Sequence, residues 1–226
     1  MICKASSSNT VIISQRGKYH SGWDGKTLIL AKLEEEQVMK KYSVILADCP
    51  WKMKDRRNGD PAYAAITYDT MSTEDLCDLP VKEVAAKDCA LFMWVTGPMF
   101  EDCLKIIKAW GFKFKTMAFV WVKLNPKAKT PASLMGRFTM SSCEYVLVAT
   151  RGRPQRVCKN VRQLVQEIRT GHSVKPKEVH KRIEQLYGDV PRLELFARES
   201  AEGWDVVGNG IDGRDIRDVL KEMTEE

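Results

Sequence analysis

Asp48, Cys49, Pro50 and Trp51 follow one another directly after the apolar run Val44-Ile45-Leu46-Ala47. A carboxylate, a proline-stiffened backbone and an indole face within four residues suit the holding of a flat heterocycle that bears an amino group. They offer acceptors for its N–H bonds and a π-face for its ring. A strand that merely ends in a polar loop would carry the same residues, so this stretch alone leaves both readings open. The Cys49 thiol is a conceivable nucleophile, but a neighbouring carboxylate raises a thiol pKa rather than lowering it, which counts against that role. Metal chemistry is disfavoured as well. The seven cysteines (Cys3, Cys49, Cys77, Cys89, Cys103, Cys143, Cys158) are odd in number, scattered and without a C-x-x-C pair. They read as reduced thiols, mostly core filler, in an intracellular, cytoplasmic protein.

The charge is placed as for a polyanionic partner. Of the net +6, eight Lys or Arg fall between Cys103 and Cys143 (Lys105, Lys108, Lys113, Lys115, Lys123, Lys127, Lys129, Arg137) with no acid among them. Ten more lie between Arg151 and Arg182 against only Glu167 and Glu178, while acids gather from Glu194 to Glu226. Such segregation favours nucleic acid as the partner, with solvated lysine faces as the plainer alternative. The longest apolar runs, Ala90 to Val95 and Val146 to Thr150, are far too short to span a bilayer, and the first residues do not read as a signal peptide.

The elements that must position these residues alternate along the chain. Val44 to Ala47 reads as a buried parallel strand, and Lys52 to Tyr68 as a lid-like loop. Ser72-Thr73-Glu74-Asp75 reads as a helix N-cap with an acid three residues on. Ala90 to Thr96 predicts a second strand, Met99 to Trp110 a helix stopped by Gly111, and Met117 to Val122 a third strand. A basic loop from Leu124 to Ser142 leads to a fourth strand, Tyr145 to Ala149. Val161, Leu164, Val165 and Ile168 stand at helical spacing in a β-branched segment, so their type stays open. Pro176 starts a helix ended by Gly188. Strands at Leu193 to Ala197 and Trp204 to Val207 follow. The order predicts a doubly wound α/β sheet, in one domain (42–213) flanked by a weakly patterned extension (1–41) and a charged C-terminal segment (214–226).

Together these pieces resemble the METTL-type family of adenine methyltransferases, which use S-adenosylmethionine and whose best-known members write 6-methyladenine into messenger RNA. The resemblance rests on Asp48-Cys49-Pro50-Trp51 in place of the family's Asp-Pro-Pro-Trp, on Tyr68-Asp69-Thr70-Met71-Ser72, on Leu91 to Thr96 and on Phe119 to Lys123. It continues through Glu144 to Val148, Lys175-Pro176, Glu194 to Arg198, and Gly203-Trp204 ahead of Gly208-Asn209. It implies a Rossmann-like methyltransferase fold, permuted so that the catalytic turn precedes the cofactor strand. The absence of a G-x-G-x-x-G motif then follows, because the cofactor strand ends in Phe196-Ala197-Arg198.

The resemblance also distributes roles. Asp48 and the Cys49 carbonyl would accept the two hydrogens of an adenine 6-amino group, Pro50 would stiffen the turn, and Trp51 and Tyr68 would stack on the base. Glu144 would stand near the base pocket, although an ordinary strand glutamate fits equally. Lys123 and Arg137 would hold substrate phosphates. Lys175, Glu194, Arg198 and Asn209 would take the cofactor side, and Trp94 and Trp121 would be core. The family carries an amide or acid where this chain has Gly210, which puts one cofactor hydrogen bond in question. The implied function is methyl transfer from S-adenosylmethionine to adenine in DNA or RNA. The alternative is a catalytically inactive nucleic-acid-binding subunit of such an enzyme, and family precedent implies a homo- or heterodimer.

Overall fold

The computed structural model describes residues 40–52, 69–136, 138–171 and 174–225. Tyr68, Arg137, the extension up to Met39 and most of the loop after Trp51 lie outside them. Strand β1 (Tyr42–Ala47) has the composition of a central strand, since its last four residues are apolar without alternation and can be covered only on both faces. Val44, Ile45, Leu46 and Ala47 are fully buried, and each of the three larger side chains contributes roughly 1.5–3 kcal/mol by leaving water. On one side β1 pairs in parallel with β2 (Ala85–Val95), Leu46 opposite Phe92. On the other it pairs in parallel with β6 (Arg192–Leu195), Leu46 opposite Glu194. The remaining strands are β3 (Lys113–Leu124), β4 (Cys143–Arg151), β5 (Leu164–Ile168) and β7 (Asp205–Val207), and the seven-stranded order is β5-β3-β4-β2-β1-β6-β7.

Helices cover both faces, giving a Rossmann-like three-layer arrangement. Ile45, Ala47, Leu91 and Met93 point toward α1 (Thr73–Cys77), α2 (Val81–Val84), α3 (Phe100–Ala109) and the C-terminal α6 (Ile216–Glu225). Val44, Leu46, Phe92, Trp94, Phe119 and Trp121 point toward α4 (Glu178–Tyr187) through Val179, Ile183 and Tyr187. The Ser72 cap is present in full: its hydroxyl accepts from the Asp75 N–H (3.0 Å) and Asp75 accepts in return from the Ser72 N–H (3.3 Å). The buried Trp110 indole donates to the Leu76 carbonyl at 2.7 Å, which ties α3 to the end of α1.

Three features go beyond the sequence reading. The segment of open type is a strand: β5 adds in parallel to β3, with Val120 opposite Leu164. The charged C-terminal segment contains α6, which lays Ile216 and Leu220 on the core. Most consequentially, β4 runs antiparallel to both its neighbours. Its first residues therefore lie at the edge where β1, β2 and β3 end. Among the described residues no helix is long and apolar enough to cross a membrane.

Candidate active site

Sheet topology selects the place. β1 and β6 are neighbours, yet the chain leaves β1 toward β2 and β6 toward β7, so the crevice beyond their carboxyl ends is the switch point where open α/β sheets bind ligands. The two-residue alternation of a strand then sorts the turn that follows β1. Asp48 continues the face of Val44 and Leu46, under α4, whereas Cys49 belongs to the opposite face and is buried in the core that includes Cys103. Burial pushes the Cys49 thiol well above its ordinary pKa, with Cys103 and Asp48 adding to the effect. Thiol chemistry is thus disfavoured by direction as well as by charge. Cys49→Ala should keep the activity of this site within roughly threefold, because only a small buried contact is lost, and the native protein should leave this thiol unlabelled by Ellman's reagent. Rapid native labelling with matching loss of activity would contradict the assignment.

Four charges of alternating sign run across the carboxyl edge. Lys175 Nζ donates to both Asp48 oxygens, at 2.8 and 2.7 Å, and stands 3.4 Å from Glu144 Oε2. Glu144 Oε1 in turn accepts from Lys123 Nζ at 2.5 Å. The four side chains are only 12–18% exposed. The antiparallel run of β4 makes this possible, since it sets Glu144 opposite Trp121 with Lys123 two residues further along the same face. Burial works against both central charges, but their partners prevail: Asp48 and Glu144 raise the Lys175 pKa, and Lys175 and Lys123 hold Glu144 below the usual carboxylate range. The indoles form the floor. Lys175 Nζ lies 5.5 Å from the Trp94 ring centroid and Lys123 Nζ 5.2 Å from that of Trp121, and the two rings meet edge to face at 6.2 Å. Thr96, on the same face as Trp94, has a buried hydroxyl with no hydrogen-bond partner among the described residues.

A cleft of about 770 Å³ opens beside this array, and Asp48 and Lys175 line it together with Glu194, Phe196 and Arg198. Glu194 is fixed by His180 Nε2 at 2.8 Å, while His180 Nδ1 is buried without a hydrogen-bond partner among the described residues. The His180 ring meets Trp204 edge to face at 5.1 Å, and the Trp204 indole donates to Glu184 at 2.7 Å. Where β6 ends, Phe196 takes a left-handed φ of 63°, which turns the chain sharply away from the sheet. Gly208 and Gly210 pack onto the backbone of that turn: a Cβ on Gly208 would lie 2.3 Å from the Ala197 carbonyl oxygen, and one on Gly210 would lie 3.0 Å from Arg198 Cα. Close approach therefore accounts for the glycine at 210. Asn209, the first residue of the short helix α5 (Asn209–Asp212), is exposed and does not line the cleft.

The structure thus brings Asp48, Lys123, Glu144 and Lys175 into one array, and Asp48, Lys175, Glu194 and Arg198 into one cleft. Trp51 is half-buried and bridges to Met71, its N–H donating to the Cys49 carbonyl at 3.0 Å. Thr96, His180 and Trp204 were not anticipated as site residues. The hydroxyl of Thr96 is notable only beside β4, and His180 only opposite Glu194, so neither carries a local signal.

Comparison with known proteins agrees with this geometry. The family model MT-A70 matches residues 42–210. The chain is 37% identical over 186 residues to the type II methyltransferase M.MunI of a Mycoplasma species, a match covering 74% of this chain and 76% of that protein. It is 30% identical over 185 residues to an N(6)-adenosine-methyltransferase MT-A70-like protein of Drosophila melanogaster, covering 78% of this chain and 28% of the relative. It is 28% identical over 187 residues to the human N(6)-adenosine-methyltransferase catalytic subunit METTL3, covering 80% and 30%. The chain therefore spans three-quarters of the first relative and under a third of the other two.

Proposed function

The chain belongs to the MT-A70 family and is an adenine methyltransferase, and we propose that it moves the methyl group of S-adenosylmethionine to the 6-amino nitrogen of adenine in nucleic acid, DNA or RNA. The observation that carries the proposal is the Asp48 carboxylate, held by Lys175 at the carboxyl edge and opening onto the adjoining cleft. The cleft suits this cofactor in volume and in donor set. Glu194 offers acceptors to ribose hydroxyls, and Arg198 and Lys175 offer cations to a carboxylate. When bound, S-adenosylmethionine supplies an electrophilic methyl group on a sulfonium.

The adenine amino nitrogen is a poor nucleophile because its lone pair is delocalised into the ring. Asp48 and the Cys49 carbonyl act on that problem by accepting the two N–H bonds and orienting the nitrogen. Both retain capacity: each Asp48 oxygen has a lone pair beyond the one facing Lys175, and the Cys49 carbonyl has one beyond the bond from Trp51. Lys175 and Lys123 balance Asp48 and Glu144, so the array supports a carboxylate in a half-buried place at no net charge. Trp51 and Tyr68 provide stacking faces, and Lys127 and Lys129 of the loop after β3 provide phosphate contacts that orient the strand without reading it; Lys123, expected among them, is taken up by Glu144.

The test is transfer of labelled methyl from S-adenosylmethionine to DNA and RNA oligonucleotides, with the product nucleoside identified. Label in 6-methyladenine is expected, in DNA, RNA or both. Label in methylcytosine would overturn the adenine assignment. Tight nucleic-acid binding without any transfer would favour an inactive binding subunit.

A further inference from the structure

The Glu194 carboxylate stands at the end of a chain of fixed side chains that joins β6 to α4. Arg192 and Glu194 are two residues apart on one face of β6. Arg192 is pinned by two backbone carbonyls: its Nη1 donates to Gly188 at 2.6 Å and its Nε to Gly203 at 3.0 Å. Its guanidinium lies 5.9 Å from the Trp204 ring centroid. Trp204 in turn spans two residues of α4 that are four apart and so share a face, Glu184 through its indole N–H and His180 through the edge-to-face contact of the rings. The last link runs from His180 Nε2 to Glu194 Oε2, at 2.8 Å, between side chains that are both mostly buried. A carboxylate has no hydrogen to give, so Nε2 is the donor.

We propose that His180 is a positioning residue for cofactor capture, which holds the Glu194 carboxylate in place to accept hydrogen bonds from S-adenosylmethionine. The inference rests on the cofactor reading of the cleft given above. A glutamate side chain on the wall of an open cleft loses rotamer freedom when a ligand binds it. Tying one oxygen beforehand removes that cost from the binding step. A carboxylate has roughly four lone-pair positions, and the imidazole takes one, so a ligand is accepted without breaking the existing bond. The place of Glu194 makes its orientation matter. It lies opposite Leu46, and Asp48 follows Leu46 by two residues, about 7 Å further along the same face. Both carboxylates line the cleft. A ligand anchored at Glu194 is thereby set in depth relative to Asp48, and the rigidity of the anchor is supplied by His180, whose ring is itself held against Trp204.

The experiment is a double-mutant cycle read as the Kd for S-adenosylhomocysteine by titration calorimetry, with thermal melts of every variant. His180→Phe keeps a ring against Trp204 and removes the N–H, His180→Leu removes both, and His180→Gln keeps a donor near the position of Nε2. The first two should bind roughly tenfold more weakly than the parent, the order expected when a hydrogen bond to a charged group is lost. His180→Gln should recover to within about threefold. Glu194→Gln alone should also weaken binding roughly tenfold, and adding His180→Phe to it should cost less than about twofold more, because His180 acts through the carboxylate. Additive losses would overturn the proposal, since His180 would then touch the ligand itself or act elsewhere. Parent-like binding by His180→Phe and His180→Leu would overturn it too, as would a glutamine variant as weak as the leucine one. So would losses that track the melting temperature across the series, which would reduce His180 to a packing residue. A parent that binds no S-adenosylhomocysteine would sink the cofactor reading and this inference together, whereas tight parent binding with unaffected variants would sink this inference alone.

Discussion

Asp48→Ala should reduce kcat for methyl transfer by about 10³-fold, the order of effect seen when a single preorganised electrostatic group is removed from a reacting centre. The loss should fall on kcat more than on KM for the cofactor, because Asp48 acts on the amino nitrogen while Glu194 and Arg198 remain in the cleft. Folding should survive, since Lys175 keeps Glu144 at 3.4 Å as a counter-charge. Asp48→Asn should be nearly as damaging: an amide turns an N–H₂ toward the Lys175 ammonium, which now donates to both oxygens. Steady-state kinetics on an adenine oligonucleotide, beside thermal melts of both variants, check this. A kcat within tenfold of the parent would remove Asp48 from the chemistry.

The fold was legible in the sequence wherever one element could be read by itself. The unbroken apolar run of Val44 to Ala47 announces a central strand, the serine and aspartate at 72 and 75 announce a capped helix, and Gly111 and Gly188 stop helices at left-handed positions. Reading failed where a neighbour decides. Val161 to Ile168 has helical spacing, but a free edge beside β3 accepts it as a strand. Ile216, Val219, Leu220 and Met223 keep helical spacing that the surrounding charges masked. The direction of β4 could not be read from its residues at all, and it is that direction which carries Glu144 to the carboxyl edge beside Asp48.

The site was legible in the same uneven way. The motif residues themselves stand out, but their partnerships do not. Lys175 was assigned by resemblance to the cofactor side, and it does line that cleft, yet its shortest contacts are to the Asp48 carboxylate. Trp94 and Trp121 were read as core, and they are 2 and 3% exposed, but their outer faces also support the two lysines. A buried array of this kind is kept for placement more than for stability, because the attraction within it is largely offset by the cost of taking its charges out of water. What the array secures here is a carboxylate fixed in position with its charge compensated.

That balance makes Lys175 the second residue on which function and fold both depend. Lys175→Met leaves Asp48 and Glu144 in place without their shared cation, and removing one partner of a buried pair costs about 3–5 kcal/mol. We expect a loss of that order in urea unfolding near pH 7.5, with kcat reduced about 10²-fold or more. The pH dependence follows from the parent. Glu144 is held below the usual carboxylate range by Lys175 and Lys123 against its burial, so its contribution is present above the unfolded carboxylate pKa and is lost as pH falls through the lower folded value. Lys175 is raised by Asp48 and Glu144, so its contribution is complete below the unfolded lysine pKa and is lost only at higher pH. The deficit of the variant should therefore be largest and nearly flat from about pH 6 to about pH 10. Below that range it should shrink, because the part of the parent's stability that Lys175 supplies through Glu144 is lost as pH falls from the unfolded carboxylate pKa through the lower folded value. A deficit that stays constant down to about pH 3 would show that Lys175 acts through packing against Trp94 and not through the two carboxylates.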